Sequence, residues 1–274
     1  MENNANISHW QIDRLIKNNM EDKKKLLKEY FDSVQDENVK KFMKQCIETI
    51  PEYWFVVPAS STGKHHPNYA LGKGGLMRHT IALLRFFNHL VYNSMYGNMF
   101  TNREMDLLRV ACLMHDTRKS GSDEEFAVDK HTKFDHPILA ANTVRSIKTE
   151  YITNEEKELI ANAIESHMGQ WNTDTHGKSN VTLPLPTNKY QKIVHLVDYL
   201  AAQKGIEVIF DGFTPENNAA ENVDECDADD FTVRNMDKIE YEPENYKQQV
   251  LSEMTDLVKD YIRQKPVKWS EEMK

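Results

Sequence analysis

Six side chains in this sequence are of types that hold divalent metal ions: His79, the adjacent pair His115-Asp116, His136, His167 and Asp198. Imidazole nitrogen combined with carboxylate oxygen suits Mn²⁺, Fe²⁺, Co²⁺, Ni²⁺ or Zn²⁺, whereas Ca²⁺ and Mg²⁺ prefer all-oxygen shells. No thiolate joins the set, because Cys46, Cys112 and Cys226 are far apart and show no CxxC spacing. A structural zinc site is therefore not the expectation. Six ligands are more than one ion needs if a position stays open for water, so the set reads as holding one or two ions. Two ions roughly 3.5–4 Å apart, sharing one carboxylate, can activate a water and stabilise both oxygens of a phosphoryl displacement.

A neighbouring His and Asp prove little alone; the placement of the whole set carries the argument. From Gly74 to the mid-90s, Leu76, Leu83, Phe86, Phe87 and Leu90 recur at helical spacing, and His79 shares their stripe. Glu104 to His115 reads as a helix with Leu107, Leu108, Ala111 and Met114 inward, ending at the His-Asp pair. His136-Pro137 marks a helix start running to Ile147, since proline suits the first turn. Asn154 is the expected cap of a helix carrying Leu159, Ile160, Ala163 and Ile164 up to His167. A loop over 172–186 precedes a helix with Ile193, Val194, Val197 and Ala201, which puts Asp198 on its inward edge. A buried carboxylate without a partner protonates or finds a cation, and that helix face offers none. Any one of these histidines alone fits a satisfied core residue; together with Asp116 and Asp198 they point to a shared ion.

Elsewhere the chain is less specific. Residues 8–50 give two or three amphipathic helices, and Tyr53-Trp54-Phe55-Val56-Val57 between prolines reads as a short strand. The polar stretch 60–67, with His65 and His66, reads as a loop or a mobile edge of the site; His65, His66 and His176 are weaker candidates for substrate contact. His131 is a possible substitute for His136. Gly205–Phe210 could form a short strand, 211–230 is an acidic excursion with no Lys or Arg, and 243–263 reads as a final amphipathic helix.

With 274 residues, 39% hydrophobic and 28% charged, the composition is that of a soluble globular protein. No run approaches the roughly 18 apolar residues of a membrane span. The N-terminus lacks a basic start and apolar stretch, and the cysteines suggest a reducing setting, so a cytoplasmic location is expected. A net charge of −9 counts against general duplex binding, yet a bound cation and a few lysines can still receive a small anionic substrate. The terminal amphipathic helices allow a homodimer.

The order His79, His115-Asp116, His136, His167, Asp198 resembles the HD-domain metal-dependent phosphohydrolase superfamily. Three local stretches sharpen the likeness. Gly74-Gly75-Leu76-Met77-Arg78-His79-Thr80 is similar to that family's GGLLEHT, Ser166-His167-Met168-Gly169-Gln170 to its SHHGQ, and the Leu-Pro-Leu-Pro run before Ile193–Asp198 to its closing helix. These details are closest to the HD domain of bacterial 3′→5′ exoribonucleases. The resemblance implies an all-α HD-domain helical bundle over 58–205. An N-terminal helical extension (1–57) precedes it, and an acidic excursion with a C-terminal helix (206–274) packs on it. It also implies a metal-activated water attacking a nucleotide-like phosphoester. His79, His115, Asp116 and Asp198 would hold a first ion, and His136 and His167 a second, with Asp116 bridging. Mn²⁺ is the first choice of metal. Asp116 and Lys119 are the implied catalytic residues, and Lys119, Arg118 and Gln170 the implied substrate contacts. Lys119 fits equally a helix-end lysine favouring the dipole. Arg118 stands where the family has glycine. The family's exoribonucleases carry an OB-fold strand-binding platform that the helical first 50 residues do not supply. A small nucleotide, cyclic nucleotide or short single-stranded oligonucleotide is therefore expected before long RNA, with 3′→5′ exonuclease activity as the runner-up. A non-catalytic HD ligand-binding module is the alternative from another class. A helical interaction protein with core histidines is a third, and Asp198 argues against it.

Overall fold

The computed structural model describes residues 27–60, 66–174 and 179–210. The helix expected around Trp10–Ile16, His65, His176, the acidic 211–230 stretch and the helix expected at 243–263 lie outside them. Within the described residues every regular element is helical: α1 (Lys28–Ser33), α2 (Glu37–Glu48), α3 (Gly75–Tyr92), α4 (Ser94–Gly97), α5 (Asn102–Met114), α6 (Asp123–Val128), α7 (His136–Ser146), α8 (Asn154–Glu165) and α9 (Lys189–Ala201). Two 3₁₀ turns, Glu52–Phe55 and Asn68–Ala70, precede α3, and an isolated antiparallel bridge pairs Thr173 with Thr182. The all-α class read from the sequence therefore holds. Among the described residues no helix is long and apolar enough to cross a membrane.

Helix α5 is the axis. It packs against α1, α2, α3, α7, α8 and α9, and every residue from Asp106 to Met114 is buried. A helix surrounded on all sides loses the one-sided pattern of a surface helix. Its two buried charges are satisfied locally. Arg109 Nη1 donates to Asp106 Oδ1 at 2.7 Å, and the other Asp106 oxygen accepts the backbone N–H groups of Gln35 and Asp36 at 2.9 and 2.7 Å. This carboxylate thus fixes the α1–α2 turn to the axis. Around it, α7 lies on α8 and α3 on α9.

Four helices begin with capping boxes: Thr101/Glu104, Ser122/Glu125, Thr153/Glu156 and Asn188/Gln191. The third corrects the expected cap at Asn154. Thr153 accepts from Glu156 N while the Glu156 side chain returns to Thr153 N, so two orphan donors are met at once.

The two expected strands are absent. Tyr53–Phe55 lies in a 3₁₀ turn with all three rings buried. The carbonyls of Val56 and Val57 accept Gly74 N at 2.9 Å and Leu76 N at 3.0 Å. They hold the start of α3, not a neighbouring strand. Gly75 is required at this junction, because a Cβ there would stand 2.1 Å from Ala70 O. Gly205–Phe210 has no strand partner either. Arg85 holds it instead, donating to Ile209 O at 2.7 Å and stacking over the Phe210 ring.

Candidate metal centre

Five elements deliver the six ligand candidates to one place. α3 carries His79, His115 caps the C-terminus of α5 and Asp116 follows in the turn, His136 opens α7, His167 lies in the turn just past α8, and Asp198 sits on α9. The sequence extends the preceding helix as far as His167; the structure ends α8 at Glu165 and places His167 in the turn beyond it. All are buried except Asp198, whose side chain is 19% exposed.

The groups form two triads: His79, His115 and Asp198 in one, Asp116, His136 and His167 in the other. Within each, the ligand atoms lie within 4.8 Å of one another. The consecutive pair His115-Asp116 joins them. Asp198 Oδ1 lies 3.0 Å from His79 Nε2 and 3.5 Å from His115 Nε2. Asp116 Oδ1 lies 3.0 Å from His136 Nε2 and 3.6 Å from His167 Nε2, with His115 Nε2 3.6 Å from its other oxygen.

The backbone sets which nitrogen faces inward. His115 Nδ1 donates to Cys112 O at 2.8 Å, His136 Nδ1 to Lys133 O at 2.7 Å, and His167 Nδ1 to Ile164 O at 2.7 Å. Each acceptor is the carbonyl three residues earlier, so one device at three helix or turn boundaries puts a proton on Nδ1 and, in the neutral ring, leaves Nε2 as a lone pair. A carbonyl behind the ring is the usual support of a metal-ligating histidine. His79 differs: its Nε2 meets Asp198 and its Nδ1 is buried without a partner.

Buried polar atoms that make no hydrogen bond include His115 Nε2, Asp116 Oδ1 and His136 Nε2. A lone-pair nitrogen 3.0 Å from a carboxylate oxygen sets two acceptors against each other in a dry site, an arrangement that costs free energy without a shared cation. The donor set and the orphaned acceptors both fit a divalent transition metal. Charges agree. Burial pushes the Asp116 carboxyl up, but Lys119 and His115 outweigh it and hold the group well below the usual carboxylate range. Asp198 is likewise depressed, burial being overcome by His115 and His79. Burial keeps His136 below the ordinary imidazole value in spite of Asp116.

The other sequence candidates divide. Lys119 Nζ lies 2.9 Å from Asp116 Oδ2 with its side chain 16% exposed, at the edge of the centre. Arg118 turns elsewhere: its guanidinium donates to Thr143 Oγ1 at 3.0 Å and Thr49 O at 2.8 Å, tying α7 to the end of α2. Gln170 is exposed in the turn after His167. His131 is exposed and bonded to Asp129, outside the centre, so His136 is the member of this pair that the structure brings in.

Two residues carry more than the sequence assigned them. The ring of His66, buried, lies edge-on to His79 at 5.3 Å, and its Nδ1 has no partner. His195 is buried on α9 and donates from Nδ1 to His167 O at 2.7 Å, so it braces a ligand-bearing turn without being a ligand. Its ring lies against Gly169, whose φ is +56°, and a Cβ there would stand 2.2 Å from His195 Cε1. The usable signal for His195 was its position three residues before Asp198 on a helix face already turned inward.

Comparison with known families agrees with this geometry. The HD domain model matches residues 79–203, from the first ligand candidate to just beyond the last. This segment is similar to HD domains. The match spans somewhat under half of the chain. No curated protein and no solved structure matches the chain.

Proposed function

We propose that this protein is a metal-dependent phosphohydrolase that cleaves a nucleotide-like phosphoester. The observation that carries the reading is the pair of triads joined at His115-Asp116, with buried acceptors facing one another across 3.0 Å. Divalent ions held there supply water activation and neutralise charge on phosphoryl oxygens. His79, His115 and Asp198 would hold one ion and Asp116, His136 and His167 the other, with Mn²⁺ the first choice. The protein's own contribution is positional: backbone carbonyls aim each Nε2, and burial keeps bulk water from competing. Lys119, beside Asp116 and partly exposed, is placed to neutralise an incoming phosphate, which makes it the catalytic partner of Asp116. The buried free Cys46 and Cys112 suit a reducing compartment such as the cytoplasm.

The test is metal analysis followed by hydrolysis. The purified chain should hold one to two equivalents of transition metal, and His115→Ala/Asp116→Ala should hold none. With Mn²⁺, a panel of nucleoside monophosphates, cyclic nucleotides and short oligonucleotides should yield a substrate. The likeness of Gly74–Thr80 and Ser166–Gln170 to the exoribonuclease HD domains supports a second reading, 3′→5′ exonuclease. A 3′-blocked strand separates the two, since it resists an exonuclease while small phosphodiesters remain substrates only for the first. Metal binding without turnover on any phosphoester would leave a ligand-binding module.

A further inference from the structure

Beside the metal centre lies an aromatic pair that supplies none of its ligand candidates. Trp171 and Tyr199 stack with ring centroids 5.9 Å apart and planes 21° from parallel. The His195 ring lies 6.3 Å from Trp171 and 6.4 Å from Tyr199. Both aromatic residues are only half-buried. Trp171 thus keeps surface in solvent although Tyr199 lies parallel to one of its faces. An indole that keeps surface in solvent presents an apolar π-system there.

Its attachment ties the pair to the centre. Trp171 N donates to Met168 O in the turn that begins with Ser166 and His167, so the indole is four residues from a ligand of one triad. Tyr199 directly follows Asp198, a ligand of the other. Around α9 at about 100° per residue, Asp198, His195 and Tyr199 follow one another within one sector. The more exposed members of the centre, Asp198 and Lys119, show that it opens to solvent, and Asp198 is on the side where Tyr199 stands.

We propose that Trp171 and Tyr199 form a subsite for the nucleobase of the substrate, stacking the base while its phosphate reaches the metal centre. The inference rests on the phosphohydrolase reading for its phosphate end; the stacking end stands on the ring geometry alone. Planar π-faces accept any base, so the subsite selects nucleotides over base-free phosphoesters without strong sequence preference. It supplies in miniature what a strand-binding barrel would supply in a larger protein, and suits a mononucleotide or the terminal unit of a short strand.

The experiment measures equilibrium binding of AMP and of ribose 5-phosphate to the full chain in Mn²⁺ by calorimetry, at a temperature where a parallel phosphate assay shows no turnover during the titration. The wild type should prefer AMP. Trp171→Leu keeps apolar bulk and removes the π-face, so the AMP to ribose 5-phosphate preference should shrink roughly 10-fold, as loss of one stacked base does. Trp171→Phe should restore most of it. Tyr199→Leu gives an independent second variant, with thermal midpoints checking that each is folded. Equal affinity of the wild type for both ligands, absence of binding by either, or an unchanged preference in both leucine variants would overturn the subsite. Base-dependent binding that Trp171→Leu removes, in a protein that hydrolyses no phosphoester, would uphold the subsite and sink the hydrolase reading.

Discussion

Gly169→Ala tests whether the residues behind the ligands hold them in register. The position has φ +56°, and a Cβ there would meet three atoms of the His195 ring at 2.2, 2.6 and 2.7 Å. Alanine in the left-handed region costs about 1–2 kcal/mol. The ring must also move, which breaks the 2.7 Å bond from His195 Nδ1 to His167 O, a buried bond worth about 0.5–1.5 kcal/mol. A total near 2–3 kcal/mol corresponds to a fall in thermal midpoint of about 5–10 °C for a domain of this size. Because the freed carbonyl belongs to a ligand-bearing residue, metal affinity should fall as well, by about 10- to 100-fold as for other outer-shell losses. The assay is a thermal melt in EDTA and a Mn²⁺ titration, run on wild type, Gly169→Ala, His195→Ala and the double variant. With the ring gone, Gly169→Ala should keep only its backbone cost of about 1–2 kcal/mol and show no further effect on metal affinity. If it weakens metal binding as much in the His195→Ala background as in the wild type, the coupling through His195 is refuted.

Three other outcomes follow from the same structure. A divalent metal at 100 times its Kd should stabilise the chain by about 2.7 kcal/mol, raising the midpoint by roughly 5–10 °C; EDTA should reverse the shift and Asp116→Asn should abolish it. Asp106→Ala strips the buried Arg109 of its ion pair and leaves Gln35 N and Asp36 N without an acceptor, so urea unfolding should show a loss of about 3–5 kcal/mol. Asp36 caps α2, and its carboxyl is held below the usual range by the Val39 N–H, against a smaller effect of burial, and by Arg103. A depressed carboxyl contributes above its unfolded value and loses that contribution as pH falls through its folded one. Asp36→Ala should therefore cost about 1 kcal/mol at neutral pH and progressively less as unfolding is measured below about pH 4.

The helices were legible wherever one face is apolar. The runs giving α3, α7 and α9 repeat at three and four residues, and each element forms close to its expected span. Local chemistry competed with periodicity where the reading failed. Tyr53–Val57 has strand composition, but its aromatics fill the core from a 3₁₀ turn and its last carbonyls cap α3; composition cannot show that the hydrogen bonds go to a helix start 18 residues on. Asn154 and Thr153 are both good caps, and the deciding feature is Glu156, three residues beyond Thr153, whose side chain reaches back to close the box.

The candidate ligand set was legible for a different reason: His79, His167 and Asp198 are polar groups on faces that should be apolar, and the conflict disappears if they share an ion with the His115-Asp116 pair and His136. His115 and Asp116 show how far that logic reaches. Successive residues at a helix end point about 100° apart, so one dipeptide can serve two triads, and the structure uses it so. The same logic cannot separate a ligand from its support. His195 is also a buried imidazole on an inward face, as pattern-breaking as His79. Only the atoms facing each ring tell them apart: a carboxylate oxygen at 3.0 Å from His79 Nε2, and for His195 the carbonyl of a ligand residue at 2.7 Å. A sequence can therefore nominate the set of residues that converge on an ion, while the division into those that touch it and those that hold the others still is a property of the folded backbone.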